Sequence, residues 1–594
     1  MGRVLGIDLG TSNSGMAIAE WVDGSECEIE VLPILQRLAG GLRGEATTLP
    51  SALYIPTEAE KREDSSQLPL PGSPFWFGEE ALERSSTSPD RVVVSAKSWL
   101  ALSAVDRKGA ILPWGSSVSQ KVSPLEASSS YLSYLLDVMS RKVEGGVSSV
   151  DNVVVTVPAS FDEVARQLTV EAVKGAGIEA TLLEEPLAAV YSWLGGMGES
   201  WRDNLVPEDV ILVVDIGGGT TDLSLVRAFE SDGELALERV AVGNHLLVGG
   251  DNMDLAVAFN LKKKLQNQGH ALDVWQFKSM IFEARRAKEK LLADDDLDEV
   301  SFSIASKGSD IFAQAISVKV NQEEINQWLV EGFFPLRSIT ELPRRQAVTG
   351  IQKVGLQYEA EPEIPRHIAQ FLTANSHGSA SSDGVEMTMP TKVLFNGGVF
   401  KSDRLRHRTL DLLKSWGADC EELPSVDFDL AVAKGAAYYG EIKRSGVGHK
   451  IKAGTARSYY LGLEEAAMAI PGMEPEIKGL CVVPQGTEEG TELNMDERVF
   501  GLMTGAPVEF RFFSSLARTD DDLGTVVEDA MTELDESNCI SVTLDDGAAG
   551  VMVPVHLKSV VNEIGTLDLI MQAKDSDKSW KLEFDIRGEE EAYG

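Results

Sequence analysis

The first 445 residues alternate short apolar runs with longer amphipathic stretches. Near-continuous Val, Ile and Leu predict strands buried on both faces, as in RVLGIDLG, NVVVTVPASF, ILVVDIGGG and TKVLFNGG. Apolar residues at helical spacing predict helices over about 252–268, 274–293 and 430–444, and a further helix N-capped by Ser123. Residues 321–372 predict a helical region broken by prolines, and a Gly-Gly pair at 397–398 predicts a strand leading directly into a helix. This alternation indicates a doubly wound α/β fold.

The pattern changes after the basic, glycine-containing stretch RSGVGHKIKAG. Short runs of alternating apolar and polar residues follow, separated by turn residues, and predict an all-β sandwich. These runs are ARSYYLGL, GLCVVPQG, RVFGLMTG, PVEFRFFSS, CISVTL, VPVHLKSVV, TLDLIMQAK and WKLEFDIR. We expect a first domain over residues 1–445, a linker over 446–456 and the β module over 457–594. We expect no helices after the last strand.

Two stretches repeat one motif: an apolar run, an aspartate, one apolar residue, a glycine and then hydroxyl residues. They are VLGIDLGTSNSG, with Asp8 and Gly10, and ILVVDIGGGTTDLSL, with Asp215 and Gly217. A strand that turns straight into a returning strand points backbone N–H groups outward, where they can hold phosphate oxygens. An aspartate at the strand end would repel a bare polyphosphate, so we expect a divalent cation between them. One copy alone is explained equally well by an ordinary hairpin turn; two copies favour two halves that grip one nucleotide.

Charge and cysteine content narrow the function classes. The chain has 93 Asp and Glu against 54 Lys and Arg, a formal charge of −39, which argues against a nucleic-acid or anionic-membrane partner. The four cysteines show no metal-ligand spacing, and we interpret them as buried residues of a reducing compartment: Cys27, Cys420, Cys481 and Cys539. The sequence shows no signal peptide and no long apolar run, so we expect a cytoplasmic protein.

The order of motifs resembles the heat-shock 70 (DnaK-like) chaperone family of the actin and sugar-kinase ATPase superfamily. The motifs that carry the resemblance are IDLGTSNS, VPASF, EEPLAA, DIGGGTTD, VGGDNMD, EARRAKEKL, FNGGVF and DLAVAKGAA. The resemblance covers nearly all of residues 1–445 and, more weakly, the β module. It implies a two-lobed actin-like ATPase domain with duplicated ribonuclease-H-like halves, followed by a small β-sandwich domain of the substrate-binding kind. Without a helical lid, this chain is expected to be a divergent member.

The same resemblance implies the site residues. The implied catalytic residues are Lys97, Glu185, Asp215, Thr220 and Asp222. The implied nucleotide-binding residues are Asp8, Gly10, Thr11, Ser12, Asn13, Gly217, Gly218, Gly219, Gly249, Gly250, Lys288, Gly397, Gly398 and Asp429. Asp8 and Asp215 would hold Mg²⁺ through water, and Pro158 and Arg166 would couple the lobes.

The chain also departs from the family pattern. In the adenosine-binding helix only Lys288 agrees with the family, because the other matching positions hold Arg285, Glu289 and Leu292. Lys401 replaces an arginine that commonly stacks on the base, and an ammonium cannot stack as a guanidinium does. We therefore expect altered base affinity. The linker contains lysines where the family has an apolar segment, so we do not expect it to dock in the family's manner.

These observations predict an ATP-dependent chaperone that binds and slowly hydrolyses ATP with Mg²⁺ and couples nucleotide state to peptide binding. The implied partners are an unfolded or specific client protein, a J-domain co-chaperone and a nucleotide-exchange factor, with no nucleic acid and no membrane. Two alternatives stay open. One is a metabolic phosphotransferase of the same superfamily, and the other is an actin-like assembly protein controlled by nucleotide.

Overall fold

The computed structural model forms two compact units. The first comprises Met1–Leu237 and Val242–Lys450, and the second comprises Glu238–Ala241 and Ile451–Gly594. The residues that the structure describes are 2–22, 27–63, 73–102, 104–161, 163–231, 233–243, 246–304, 316–344, 356, 359–375, 389–424, 427–446, 448–452, 454–455, 457–464, 477–488, 490–515, 518, 520–544, 550–562, 566–576 and 578–585.

The first lobe of the first unit is built on a six-stranded sheet with the path β3-β2-β1-β10-β11, and β6 pairs with β2. Its strands are β1 (Gly2–Asp8), β2 (Asn13–Trp21), β3 (Glu28–Val31), β4 (Ile34–Arg37), β5 (Arg43–Ala46), β6 (Thr48–Pro50), β7 (Ala52–Tyr54), β8 (Trp76–Phe77), β9 (Val92–Val94), β10 (Asn152–Val157) and β11 (Thr181–Glu184). Its helices are α1 (Glu58–Glu63), α2 (Glu79–Glu83), α3 (Ala96–Ala101), α4 (Pro124–Lys142), α5 (Glu163–Gly175) and α6 (Glu185–Met197). The α4 helix begins as predicted, with the Ser123 hydroxyl accepting from the Glu126 N–H.

The second lobe is built on a five-stranded sheet with the path β14-β13-β12-β17-β18. Its strands are β12 (Val210–Ile216), β13 (Thr221–Ser231), β14 (Glu234–Val242), β15 (Glu299–Ile304), β16 (Ile316–Asn321), β17 (Lys392–Asn396) and β18 (Glu421–Glu422). The α-helices of the first unit that follow β14 in the chain are α7 (Gly250–Asn267), α8 (Val274–Ala293), α9 (Gln322–Ile325), α10 (Glu331–Phe333), α11 (Ile364–Ala374), α12 (Asp403–Ser415) and α13 (Ala431–Ser445). All seven residues of β12 are buried, as its unbroken apolar run predicts.

The two sheets share one topology. In each, the first strand pairs antiparallel with the second and parallel with a later strand, and that later strand pairs parallel with the edge strand. The last helix, α13, returns from the second lobe to pack on the first sheet. Glycine makes this close packing possible, since a Cβ at Gly435 would overlap the Ala188 carbonyl and one at Gly6 would overlap the α13 backbone.

The second unit is a β-sandwich. A five-stranded sheet, β23-β20-β19-β22-β24, and a four-stranded sheet, β21-β25-β26-β27, share one apolar core, in which Phe512 stacks on Phe584 at 4.0 Å between ring centroids. The elements are β19 (Ser458–Glu464), β20 (Ile477–Val483), β21 (Glu492–Thr504), β22 (Pro507–Ser515), β23 (Val526–Val527), α14 (Ala530–Glu533), β24 (Asp535–Thr543), β25 (Val551–Val561), β26 (Thr566–Ala573) and β27 (Ser579–Asp585). The fold class predicted from the sequence is confirmed.

Two local predictions differ from the structure. A helix begins at the Gly-Gly pair as predicted, but its first part is a 3₁₀ turn over Gly398–Lys401, α12 starts only at Asp403, and Gly397 turns the chain with a φ of +87°. Cys27 is half-exposed rather than buried, whereas Cys420 and Cys481 are buried as expected. The side chain of Cys539 lies outside the described residues. Among the helices that the structure describes, none combines the length and apolarity needed to cross a membrane.

Candidate nucleotide-binding cleft

Both repeated motifs form tight turns between antiparallel strands. Between β1 and β2, the carbonyl of Gly10 accepts a hydrogen bond from the Ser51 hydroxyl at 2.7 Å, and a Cβ at Gly10 would overlap the Asn13 carbonyl. Between β12 and β13, the Gly217 N–H donates to the Thr220 carbonyl at 3.0 Å. Glycine is therefore required sterically in the first turn, and both turns leave backbone amides at the loop tip.

The two turns meet. A Cβ at Gly218 would overlap the Ser12 side chain, and one at Gly219 would lie 2.7 Å from the Thr11 methyl group. Residues of both turns line one cleft of about 540 Å³, a volume in the range of small-molecule sites. The two lobes of the first unit therefore present their Asp-x-Gly turns to one shared cleft.

Four carboxylates lie at or directly behind the floor of this cleft, at the ends of neighbouring elements. Asp8 ends β1, Asp215 lies near the end of β12, Asp222 pairs with Asp215 across the β12–β13 ladder, and Glu185 begins α6. Their hydrogen bonds come from the Thr156 hydroxyl to Asp8 (3.2 Å), the Asn396 amide to Asp215 (2.9 Å) and the Ser160 hydroxyl to Asp222 (2.5 Å). The Lys97 ammonium pairs with Glu185.

Burial is the main cause that raises the pKa values of these carboxyl groups, and neighbouring negative charge adds to it for Asp8, Asp215 and Glu185. Burial, and then the Glu185 charge, raises the pKa of Asp8 from its usual 3.8 to about 7, against the opposing Lys97 charge. Burial and the Glu185 charge also raise the pKa of Asp215 well above its ordinary value. Burial raises the pKa of Glu185, which the Lys97 ammonium opposes, and burial likewise raises the pKa of Asp222. A cation in the cleft would relieve this repulsion.

The residues of the floor fit a hydrated divalent cation. Asp8 and Asp215 both line the cleft, and the buried Asn396 carbonyl oxygen beside Asp215 has no hydrogen-bond partner. In the part of the chain that the structure describes, no group of three or more His, Cys, Asp or Glu side chains is arranged to hold a metal ion directly. The oxygen donors of Asp8, Asp215 and Asn396 are of the kind that hard divalent cations such as Mg²⁺ prefer.

A third loop closes one side of the cleft. The Gly250 and Asp251 N–H groups donate to the Gly217 and Gly218 carbonyls at 3.0 and 2.6 Å, which ties the start of α7 to the second phosphate turn. A Cβ at Gly249 would lie 2.8 Å from both carbonyl oxygens. Gly249 thus packs behind the turn, whereas Gly250 lines the cleft.

The far end of the cleft is lined by α8 and the 3₁₀ turn after β17. Lys288 is buried, and its ammonium contacts the Asp254 carboxylate at 2.6 Å and the Gly250 carbonyl at 3.1 Å. Lys401 pairs with Asp429 at 2.5 Å. Arg285 contacts Glu289 at 3.1 Å. The cations at this end are thus already engaged by carboxylates of the protein.

Most of the residues that the resemblance implies lie around this cleft. Those that line it are Asp8, Gly10, Thr11, Ser12, Asn13, Glu185, Asp215, Gly217, Gly218, Thr220, Gly250, Lys288, Gly397, Gly398 and Asp429. The remaining four stand behind the lining: Lys97 and Asp222 support the carboxylate floor, while Gly219 and Gly249 allow close packing of the turns.

Arg166 is 1% exposed and bonds to the Ala159 carbonyl at 2.8 Å and to Glu184 at 3.1 Å, beside the first sheet. The sequence reasoning missed Asn396, Ser160, Thr156 and Asp254. The sequence does contain a signal for Asn396, because this residue directly precedes the Gly-Gly pair at the end of a buried strand.

Two lobes of one topology, with paired glycine turns over a carboxylate floor, define an actin-like fold with a cleft that both turns line. Residues 102–334 match the family model described as Hsp70 protein. The chain is 33% identical over 228 residues to the "Chaperone protein HscA homolog" of Shewanella loihica, a match that covers 36% of this chain and 34% of the relative. It is 28% identical over 358 residues to the protein of the same name from Haemophilus influenzae, covering 58% of this chain and 48% of the relative.

The resemblance to the heat-shock 70 family is thereby confirmed over residues 102–334, and the identity to these two relatives is 28–33%. The chain spans about a third to a half of the length of the curated relatives it matches.

Proposed function

We propose that this protein binds ATP with Mg²⁺ in the cleft, hydrolyses it slowly and acts as a chaperone. The observation that carries the proposal is the contact of the two turns, with Gly218 of one lobe against Ser12 of the other, over a floor of carboxylates. Bare glycine turns leave room and amide donors for phosphate oxygens. A bound magnesium ion would supply the positive charge that phosphoryl transfer requires.

Each side chain of the floor has a proposed role. Asp8 and Asp215 would hold the ion through its bound water, and Thr220 would donate its hydroxyl to the terminal phosphate. Lys97, held by Glu185, neutralises charge that develops on the transferred group. Asp222, held by the Ser160 hydroxyl, and Glu185 position the attacking water.

The lysine and arginine side chains at the far end of the cleft already pair with carboxylates, and this pairing affects nucleotide affinity. Lys288, Lys401 and Arg285 each contact a carboxylate of the protein. They must exchange these partners to contact the base or ribose, and such an exchange costs binding free energy. We therefore propose that ATP is held mainly by its phosphates.

The chaperone part of the proposal rests on the family. The relatives are named chaperone proteins, and the second unit is a β-sandwich of the kind the resemblance implies for client binding. Client proteins or peptides, a J-domain co-chaperone and a nucleotide-exchange factor are the proposed partners, in the cytoplasm. The γ-phosphate would bias two states of the lobes and so alter client affinity.

The test is ATP turnover by the full chain with and without an unfolded peptide, with a Lys97→Ala variant as the control for contaminating ATPase. The proposal expects turnover to rise several-fold with peptide. Turnover that requires a sugar or acyl acceptor would contradict the chaperone function and indicate a phosphotransferase. Nucleotide-dependent light scattering without peptide stimulation would indicate an assembly protein.

A further inference from the structure

An exposed apolar cluster lies on α7 and α8, away from the residues that line the cleft. Phe259 and Val274 are 53% and 76% exposed. The Phe259 ring lies 4.9 Å from that of the half-buried Phe277, which is on the same helix face as Val274, and the Lys262 ammonium lies 4.7 Å above the Phe277 ring. We call Phe259, Lys262, Lys263, Val274 and Phe277 the helix-pair surface. Single exposed apolar residues are common in soluble proteins, whereas contiguous exposed apolar patches are a feature of interaction sites.

The charge of this region is opposite to that of the whole chain. Residues 259–286 include six Lys and Arg against two Asp and Glu, whereas acidic residues predominate nearly twofold overall. Neighbouring cations are neutralised internally, since Lys264 pairs with Glu324 and Lys278 with Asp90. Lys262 and Lys263 have no carboxylate within ion-pair distance among the described residues. The surface therefore joins exposed aromatic area to unneutralised positive charge.

We propose that the helix-pair surface docks an acidic polypeptide segment that also carries apolar side chains. Phe259 and Val274 supply the apolar area, which gains free energy when it leaves water. Lys262 and Lys263 supply charge complementarity, which selects an acidic partner and excludes a basic one. Lys262 is held over an aromatic ring, so its ammonium is partly ordered before a carboxylate arrives. This surface is distinct from the proposed nucleotide cleft, and its test does not require ATP.

The test measures binding of two labelled amphipathic helical peptides to the full chain by fluorescence anisotropy. One has a leucine face and a glutamate face, and the other has lysine in place of glutamate. The variants are Phe259→Ser and the double variant Lys262→Glu, Lys263→Glu. Their matched controls are Leu336→Ser, a half-exposed apolar residue elsewhere in the same unit, and Lys174→Glu, an exposed cation on α5. Circular dichroism checks that each variant is folded.

The proposal expects the glutamate peptide to bind and the lysine peptide to bind at least about tenfold more weakly. Phe259→Ser and the double lysine variant should each weaken binding of the glutamate peptide at least about tenfold, as expected for the loss of an aromatic anchor and for a charge reversal. The control variants should change this affinity little. Added salt should weaken binding to the wild type. The proposal is overturned if the glutamate peptide does not bind, if both variants bind it as the wild type does, or if both peptides bind equally. It is also overturned if sedimentation shows Phe259-dependent self-association while neither peptide binds.

Discussion

Lys97 shows how a single side chain acquires its role from its surroundings. It lies on the short helix α3, a position where a lysine is commonly solvated, yet it is 6% exposed and its ammonium pairs with Glu185 beside the cleft. A buried charge is tolerated when it is paired, and here the partner is itself one of four clustered carboxylates. The sequence alone could not place Lys97 there; the family resemblance could.

Replacing Lys97 with Ala should lower kcat about 100-fold or more while leaving the Kd for nucleotide within about threefold, because the ammonium acts on developing charge. Single-turnover hydrolysis and calorimetry measure the two quantities. Lys108→Ala, which removes an exposed lysine paired with Glu171, is the matched control. Unchanged hydrolysis in Lys97→Ala would show that Lys97 has no catalytic role.

The raised pKa of Asp8 predicts a pH dependence of stability in metal-free protein. The folded state keeps the Asp8 proton up to about pH 7, whereas the unfolded chain releases it near 3.8. Over this window the folded state binds more protons, so the Asp8 contribution makes the free energy of unfolding fall as pH rises. This loss of stability is absent below about pH 4 and complete above about pH 7.

Asp8→Asn removes that contribution and keeps an oxygen to accept from Thr156. In EDTA, the variant should gain stability relative to the wild type progressively from pH 4.5 to 7.5, measured by urea unfolding. Asp203→Asn, at an exposed position, should show no such gain. A stability difference that stays constant across this range would contradict the assignment.

At the scale of elements, the glycine turns and their strands were predictable, because an apolar run ending in Asp-x-Gly specifies both a buried strand and a turn. The start of α4 was predictable from Ser123 at its N-cap. The 3₁₀ turn after β17 was not, because the demand for glycine at residue 397 comes from the neighbouring strand, where a Cβ would lie 2.3 Å from the Ile216 carbonyl oxygen. The role of Asn396 also depends on that neighbour, since it bonds to Asp215 across the sheet.

The contact of the two turns gives a prediction at this scale. Gly218→Ala places a methyl group against Ser12 and should lower nucleotide affinity at least about tenfold, because the turns must separate. Adding Ser12→Gly should recover part of the loss. Gly196→Ala on α6, where a Cβ meets nothing within 4 Å, should have little effect. Isothermal titration with ATP and Mg²⁺ measures all three, and equal affinity in Gly218→Ala would mean that the turns do not meet around the ligand.

At the scale of the whole molecule, a repeated motif corresponds to a repeated fold. The two lobes share strand order and direction, although little sequence outside the Asp-x-Gly turns is alike. The return of α13 to the first sheet was beyond sequence reasoning, because it depends on packing between residues far apart in the chain, such as Gly435 and Ala188. The acidic composition gave no indication of the basic helix-pair surface, which depends on which charges are neutralised locally.

The most direct measurement of the central claim is calorimetric titration of the full chain with ATP, in Mg²⁺ and in EDTA, for the wild type, Asp215→Asn and Asp203→Asn. If the two turns grip one hydrated magnesium nucleotide, the wild type should bind one ATP per chain in Mg²⁺ and much more weakly in EDTA. Asp215→Asn should lose the magnesium dependence, and Asp203→Asn should keep it. Binding that is indifferent to Mg²⁺, or unchanged in Asp215→Asn, would contradict the account.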